Sequence, residues 1–274
     1  MEYEVIIAGA SFAGLSVARE LKDKKIFLID RRSIGAFTAS ACAAPLSLLE
    51  ENGCEQSVLK VTDKIRFTTP YGSITYNSII PVATFDYELF CKEFAPPVEF
   101  KKANIINFDG KTLSTTNGSY TAKIFVDCTG WRAKLARSLN PKAFTSKKYG
   151  FGIETEVDFQ SDELHFIYDP KIIKGGYAWT FPAGKKSRFG VGSYTAKPNL
   201  RVSLEKLLAL YGLKTNKVYG GFMPAGIRRA ILGELFLVGD AAAQILPLTG
   251  EGIRQSLYFG KKAGKLIHQV LNQE

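Results

Sequence analysis

Residues 235–254 read LFLVGDAAAQILPLTGEGIR. An apolar strand, Leu235–Val238, runs into Gly239-Asp240; three alanines follow, and Pro247 to Ile253 opens a helix. A strand that ends in a carboxylate, followed by a glycine-lined helix start, is suited to hold a polyol and an anionic ring edge together. The counterpart lies in residues 4–21, EVIIAGASFAGLSVAREL. Glu4–Ala8 reads as a short apolar strand, Ala13–Leu21 has helical spacing, and Lys25–Asp30 is a second strand of buried type. This is a β-α-β unit of about thirty residues, the size of a dinucleotide-binding motif.

The 274 residues suffice for one or two domains. Apolar residues make up 46% and charged residues 23%, both ordinary for a globular chain. The net charge of +10 is scattered in pairs such as Lys147-Lys148 and Lys185-Lys186 rather than massed in runs, which argues against nucleic acid. The four cysteines form no C-x-x-C pair and no leader precedes the first strand, so a reducing cytoplasm is expected, with peripheral membrane contact left open. With only two histidines, His165 and His268, no metal site is expected.

Farther along, Gly35–Leu49 reads as a loop entering a helix that ends near Asn52-Gly53. Lys64–Thr69 and Ser73–Tyr76 read as a hairpin around Pro70-Tyr71-Gly72, and Asp86–Phe94 as a helix. Val98–Lys101 and Ile124–Val126 return to the first strand pattern. Phe151–Val157, Glu163–Tyr168, Tyr177–Phe181 and Arg188–Tyr194 alternate as antiparallel strands, before a helix at Ser203–Leu210 capped by Gly212. The expected fold is α/β (α+β overall). Residues 1–60, 98–140 and 226–274 form a discontinuous Rossmann-like FAD-binding domain, and residues 61–97 and 141–225 a second, smaller antiparallel-sheet substrate domain.

The cofactor reading rests on three elements. In IIAGASFAG, Gly9 permits the turn out of the strand, Ser11 stands where the middle glycine of G-x-G-x-x-G belongs, and Gly14 lets the helix pack closely. The helix start from Phe12 then turns its amides to a pyrophosphate. Asp30, at the end of the second strand with Arg31 beside it, suits a ribose diol. Asp240 gives the ribityl chain of FAD a second carboxylate, while the amides around Gly250 and Gly252 suit the anionic N1/O2 edge of reduced flavin.

GASFAG, Asp30, DCTGWR (Asp127–Arg132, with Gly130), GGYAWTFP (Gly175–Pro182) and VGDAAAQILPLTGEGIR together resemble the geranylgeranyl reductase family. That family belongs to the flavoproteins with a para-hydroxybenzoate hydroxylase-type fold. The resemblance implies FAD contacts at Ala13, Asp30, Cys42, Ala43, Ala103, Asp240, Gly252 and Ile253. It places Tyr177, Trp179 and Phe181 on the substrate side. It also puts Cys42 close to the flavin, as a contact or as a proton donor, the bland alternative being a small buried residue. Glu154 and Glu156 are expected on the solvated side of their strand.

Two departures stand out. Pro81-Val82-Ala83-Thr84 replaces an arginine expected before Phe85-Asp86, leaving Arg31 or Lys92 to meet FAD. The sequence also closes one helix (Ser256–Leu271) after the flavin motif and its substrate segments are short, which counts against a full-length lipid tunnel and polyprenyl specificity.

The resemblance implies an FAD-dependent oxidoreductase that reduces double bonds of an isoprenoid or lipid-like small molecule, with NAD(P)H or another electron donor. The alternatives are a flavin hydroxylase or halogenase, a lycopene cyclase-like catalyst using Glu251 as acid, and an FAD-binding paralogue without turnover. Oligomeric state is not legible.

Overall fold

The computed structural model describes residues 2–36, 40–142, 149–195, 199–226 and 228–273. The chain divides into two compact units, one of Met1–Phe37, Phe94–Lys148 and Pro224–Glu274, the other of Thr38–Glu93 and Tyr149–Met223.

The first unit is built on a sheet in the order Ile231–Leu232, Leu235–Leu237, Gly118–Asp127, Glu2–Ala8, Ile26–Asp30, Glu99–Lys102. From Leu235–Leu237 onward these pairings are parallel, which brings Leu237, Asp127, Ala8 and Asp30 to one edge. The carboxyl edge of a parallel sheet is where such folds take ligands. Apolar runs such as Val5–Ala8 and Ile26–Ile29 are buried throughout, as strands covered on both faces require. The hairpin of Ile105–Phe108 and Thr112–Thr115, which carried no clear sequence signal, continues from Gly118–Asp127.

Two helices are clasped together beside this sheet. Ser16, in the helix Phe12–Arg19, donates a 2.7 Å hydrogen bond to the carbonyl of Leu257, in the helix Ile253–Leu271. A Cβ on Gly260 would lie 2.5 Å from the Ser16 Cβ, and one on Gly264 would lie 2.7 Å from the Glu20 Cβ. Residues four apart share a helix face, so Gly260 and Gly264 form a continuous smooth strip.

The second unit has a sheet in the order Tyr219–Pro224, Tyr149–Val157, Lys186–Ser193, Gly176–Ala183, Leu164–Ile167, Val58–Thr69, Gly72–Phe85, Ala43–Pro45. Leu164–Ile167 runs parallel to Val58–Thr69; the other pairs from Tyr149–Val157 through to Ala43–Pro45 are antiparallel. One face packs under the helix Leu200–Ala209, burying Ala178, Phe189, Val191, Leu204 and Leu207. Asn199 caps that helix through its side chain, and Gly212 (φ +67°) ends it, as its sequence position implied.

Two expectations are corrected. Residues 38–60, assigned from sequence to the nucleotide domain, cluster with the second unit, because Ala43–Pro45 pairs with Val82–Thr84 and extends the sheet. The hairpin around Pro70-Tyr71-Gly72 is also much longer than the alternation indicated, Val58–Thr69 with Gly72–Phe85; register shifts near Val58 and Thr62 interrupt its period.

Gly260→Leu should destabilise the fold by about 1–3 kcal/mol, the usual cost of forcing methylenes into a packed contact. Urea denaturation reads this directly; an unchanged midpoint would show that the helices do not need the close approach.

Candidate functional site

In the first unit the glycine turn is set by sterics. Gly9 has φ +111°, and a Cβ there would fall 2.1 Å from the Cys128 carbonyl oxygen. A Cβ on Gly14 would fall 1.8 Å from the carbonyl oxygen of Gly9 itself. Both positions therefore exclude any side chain. Ser11 takes the N-cap position of the helix Phe12–Arg19 without a side-chain capping bond, at the carboxyl edge of the sheet. The Asp30 carboxylate accepts from the Ala10 amide at 2.8 Å and from the Arg32 amide at 2.9 Å. Ala103, buried beside it, donates its amide to the Asp30 carbonyl at 2.8 Å. Asp30 is thus fixed by backbone at the end of its strand, with Arg31 exposed next to it. Lys92 instead pairs with Glu88 at 2.6 Å on an exposed helix face.

Asp127 acts as a fastener. Its carboxylate accepts from the Thr129 hydroxyl at 2.6 Å and from the amides of Thr129, Leu135 and Ala136 at 2.9–3.0 Å. This shapes the turn at Gly130 (φ +71°) that follows the strand.

Asp240 follows Leu235–Leu237 in a turn where Gly239 has φ +68° and a Cβ would lie 3.0 Å from Ala13. Arg228, which sequence reading missed, donates to the carbonyls of Asp240, Ala241 and Trp131 at 3.1–3.4 Å. It pins the backbone, and no hydrogen bond from the described residues reaches the Asp240 carboxyl oxygens. Burial pushes that carboxyl up to about 6, partly offset by Arg228. The Cβ position of Gly252 lies 3.6 Å from Asp240 Oδ1, which puts the start of the C-terminal helix in contact with the carboxylate. Gly250 (φ +69°) closes the preceding turn, its amide donating to the Leu246 carbonyl at 2.8 Å. Gly252 and Ile253 then open the C-terminal helix with no side-chain cap and no acidic residue in its first turn. A half-buried carboxylate that accepts no hydrogen bond from the described residues, beside a helix end without a side-chain cap, fits a polyol joined to an anionic ring.

In the second unit Cys42 and Ala43 enter the short strand Ala43–Pro45. Cys42 has φ +48°, a left-handed conformation costing a non-glycine residue about 1–2 kcal/mol. It is held there by the Phe85 amide on the Cys42 carbonyl at 3.0 Å and by Arg188 on the Ala41 carbonyl at 3.0 Å. Arg188 also clamps the Phe85 carbonyl, at 3.2 Å from both terminal nitrogens. Burial pushes the Cys42 thiol up to about 12, against the smaller opposing pull of Arg188. Cys42 is therefore a neutral thiol and a poor acid.

Tyr177, Trp179 and Phe181 share the sheet face opposite the helix Leu200–Ala209. Tyr177 lies tilted against Tyr168 and Trp179, with centroids 5.5 and 5.7 Å apart, and Phe166 bridges Phe181 and Phe67 at 5.1 and 5.2 Å. Gly190 and Gly192, on the next strand, let the indole lie directly on their backbone; a Cβ on Gly190 would meet the Trp179 ring at 2.1 Å. Glu154 is on this face too. It is 7% exposed, which corrects its expected solvated position: Glu154 is paired across Gly190 from Trp179 and lies under the indole. The alternation of Gly190 and Gly192 against Trp179 was the sequence signal for this arrangement. Arg188 carried none beyond sharing the face.

Residues matching known proteins extend over the whole chain. No protein-family profile matches it. A digeranylgeranylglycerophospholipid reductase of Methanococcus aeolicus is 24% identical over 98% of this chain and 78% of its own length. One of Methanopyrus kandleri is 31% identical, over 43% of this chain and 33% of its own; such matches span only about a third of those relatives. Over its length the chain is thus similar to proteins named as digeranylgeranylglycerophospholipid reductases. Its fold is that of a geranylgeranyl bacteriochlorophyll reductase-like protein from Thermoplasma acidophilum, with TM-score 0.88 at 20% identity over 99% of this chain and 79% of that one. A flavin-dependent brominase shares it at TM-score 0.78 and 13% identity, over all of this chain and 80% of that one.

Asp240 binds its proton more tightly folded than unfolded, so it lowers the stability of the ligand-free protein as pH rises from about 4 to about 6. Asp240→Asn should flatten that part of the curve of unfolding free energy against pH. Superimposable curves for the two proteins would remove the desolvated carboxyl from the account.

Proposed function

We propose that this chain is an FAD-dependent reductase acting on carbon–carbon double bonds of an isoprenoid or lipid-like substrate. The observation that carries the substrate class is the aromatic face of Tyr177, Trp179, Phe166 and Phe67, at one end of which the Trp179 indole lies on the glycines at 190 and 192. Flat rings over a smooth backbone suit a flexible, branched hydrocarbon, which offers area and no hydrogen bonds. The homology to digeranylgeranylglycerophospholipid reductases supports the same class.

FAD fits the residues of the first unit. The helix start from Ser11 through Gly14 would take the pyrophosphate, with Gly9 and Gly130 shaping the turns around it and Arg31 as the nearby cation. Asp30 would take the adenosine ribose, Asp240 the ribityl hydroxyls, and the amides of Gly252 and Ile253 the ring edge. Bound reduced FAD supplies hydride; its own electrons come from NAD(P)H or another carrier. The residues orient and desolvate. Glu251, an acid in the cyclase alternative, is salt-bridged to Arg254 at 2.6 Å and is held as that partner's counter-ion.

A lipid substrate also accounts for the hairpin Val58–Thr69 and Gly72–Phe85. Ile74 lies opposite Phe67 on the aromatic face, and Tyr71 and Ile79 are fully exposed at 100% and 99%. We read this edge, with Lys60 and Lys64 near it, as a peripheral contact with a lipid surface. No helix among the described residues is long and apolar enough to cross a membrane.

Purified protein should bind FAD, and Asp240→Ala should weaken that binding about tenfold or more, read by flavin fluorescence; unchanged affinity would sink the ribityl assignment. Anaerobic protein reduced with dithionite should be reoxidised by polyprenyl lipids with loss of a double bond. Reoxidation by oxygen alone would favour the hydroxylase reading. Ile79→Asp should lower sedimentation with anionic vesicles, and equal sedimentation would discount the hairpin contact.

A further inference from the structure

We infer that Glu154 is the proton donor of the reduction, placing the acid on the second unit's sheet beneath Trp179; this rests on the reductase reading above. Glu154, Gly190 and Trp179 form one row across three adjacent strands. Because Gly190 has no side chain, the Trp179 ring lies over it and reaches toward the carboxyl. Glu154 Oε2 and Trp179 Nε1 are both buried, and neither meets a partner at full hydrogen-bond geometry among the described residues, although the indole N–H and the Ser40 backbone lie close enough to the carboxyl to favour its charged form. Two buried polar atoms left short of full hydrogen bonds are costly unless something else engages them. They stand on the aromatic face that suits a branched hydrocarbon, where an acid has no other evident task.

The charges around Glu154 fit a donor. Arg188 faces it from the strand Lys186–Ser193, and Glu156 stands two residues along its own strand. Cys42 faces it from the segment leading to Ala43–Pro45, with Asp86 beyond the thiol. Arg188 is occupied by the Ala41 and Phe85 carbonyls and by Glu156 at 3.6 Å, so it tempers Glu154 without making a direct ion pair. Burial pushes the carboxyl up to about 7, opposed by Arg188 and by the nearby indole N–H. An acid poised near neutrality both carries a proton and releases it. Cys42, pushed up to about 12, does not.

In the step itself the carboxyl O–H bond of Glu154 breaks and the alkene π pair forms a new C–H bond with that proton. The other alkene carbon takes a hydride at the expense of reduced flavin. The alkene gains two electrons, the flavin loses two, and the carboxylate is reprotonated from water.

The test uses the full chain with FAD bound. Glu154→Gln should lower the rate of substrate-dependent flavin reoxidation by about a hundredfold. It should also abolish the fall in rate that the parent shows as pH rises through about 7, while Glu154→Asp keeps a pH-dependent limb. Independently of turnover, Trp131→Phe leaves Trp179 as the one indole. Its fluorescence should titrate with a midpoint near 7, and adding Glu154→Gln should erase that transition. A parent protein that no prenyl substrate reoxidises would overturn the reductase reading and this assignment with it. Turnover whose pH limb survives Glu154→Gln would overturn the assignment alone, as would Trp179 fluorescence that is flat between pH 6 and 8.

Discussion

The first unit hangs on the absence of two Cβ atoms. Gly9 lets its strand end pass within contact of the Cys128 carbonyl, and Gly14 lets the following helix start sit on Gly9. Only with both bare does the Ala10 amide come within reach of the Asp30 carboxylate, which ties the second strand to the turn. The Asp127 fastener and the Gly239 turn then occupy the same edge of a parallel sheet. Everything assigned to the nucleotide cofactor is arranged around that close approach.

The second unit uses missing side chains for another purpose. Glycines at 190 and 192 make room for a large ring to lie flat, and the ring shields an acid from water. The same sheet is two-faced: the helix Leu200–Ala209 covers one side with aliphatic packing, and the aromatic side stays half-buried. Arg188 links these elements by holding Cys42 in a left-handed conformation. Strain kept in place by a buried cation is a common mark of functional segments.

Much of this was legible before any coordinates. The spacing of Gly9, Gly14 and Asp30 gave a strand, a helix start and a carboxylate in fixed order, and the structure arranges them so. The alternation of Tyr177, Trp179 and Phe181 put three rings on one face. Glu154 was misread because alternation alone says which residues share a face, not whether that face is wet. Its burial depends on Trp179, 25 positions later, lying across an intervening strand. Arg228 and Arg188 were invisible for a similar reason: both act on backbone carbonyls, which every residue has and no side-chain pattern marks. The boundary at residue 60 failed because Ala43–Pro45 is a three-residue strand without alternation to detect.

The bond from Ser16 to Leu257 spans 241 positions of sequence. The strip at Gly260 and Gly264 that meets it belongs to the final helix. During synthesis the helix Phe12–Arg19 must therefore wait for the stretch of 241 positions that separates this pair before its partner emerges. Contacts this distant in sequence carry a large loop-closure cost and slow folding. The nascent first unit therefore leaves one face of that helix without its cover until Ile253–Leu271 has been made.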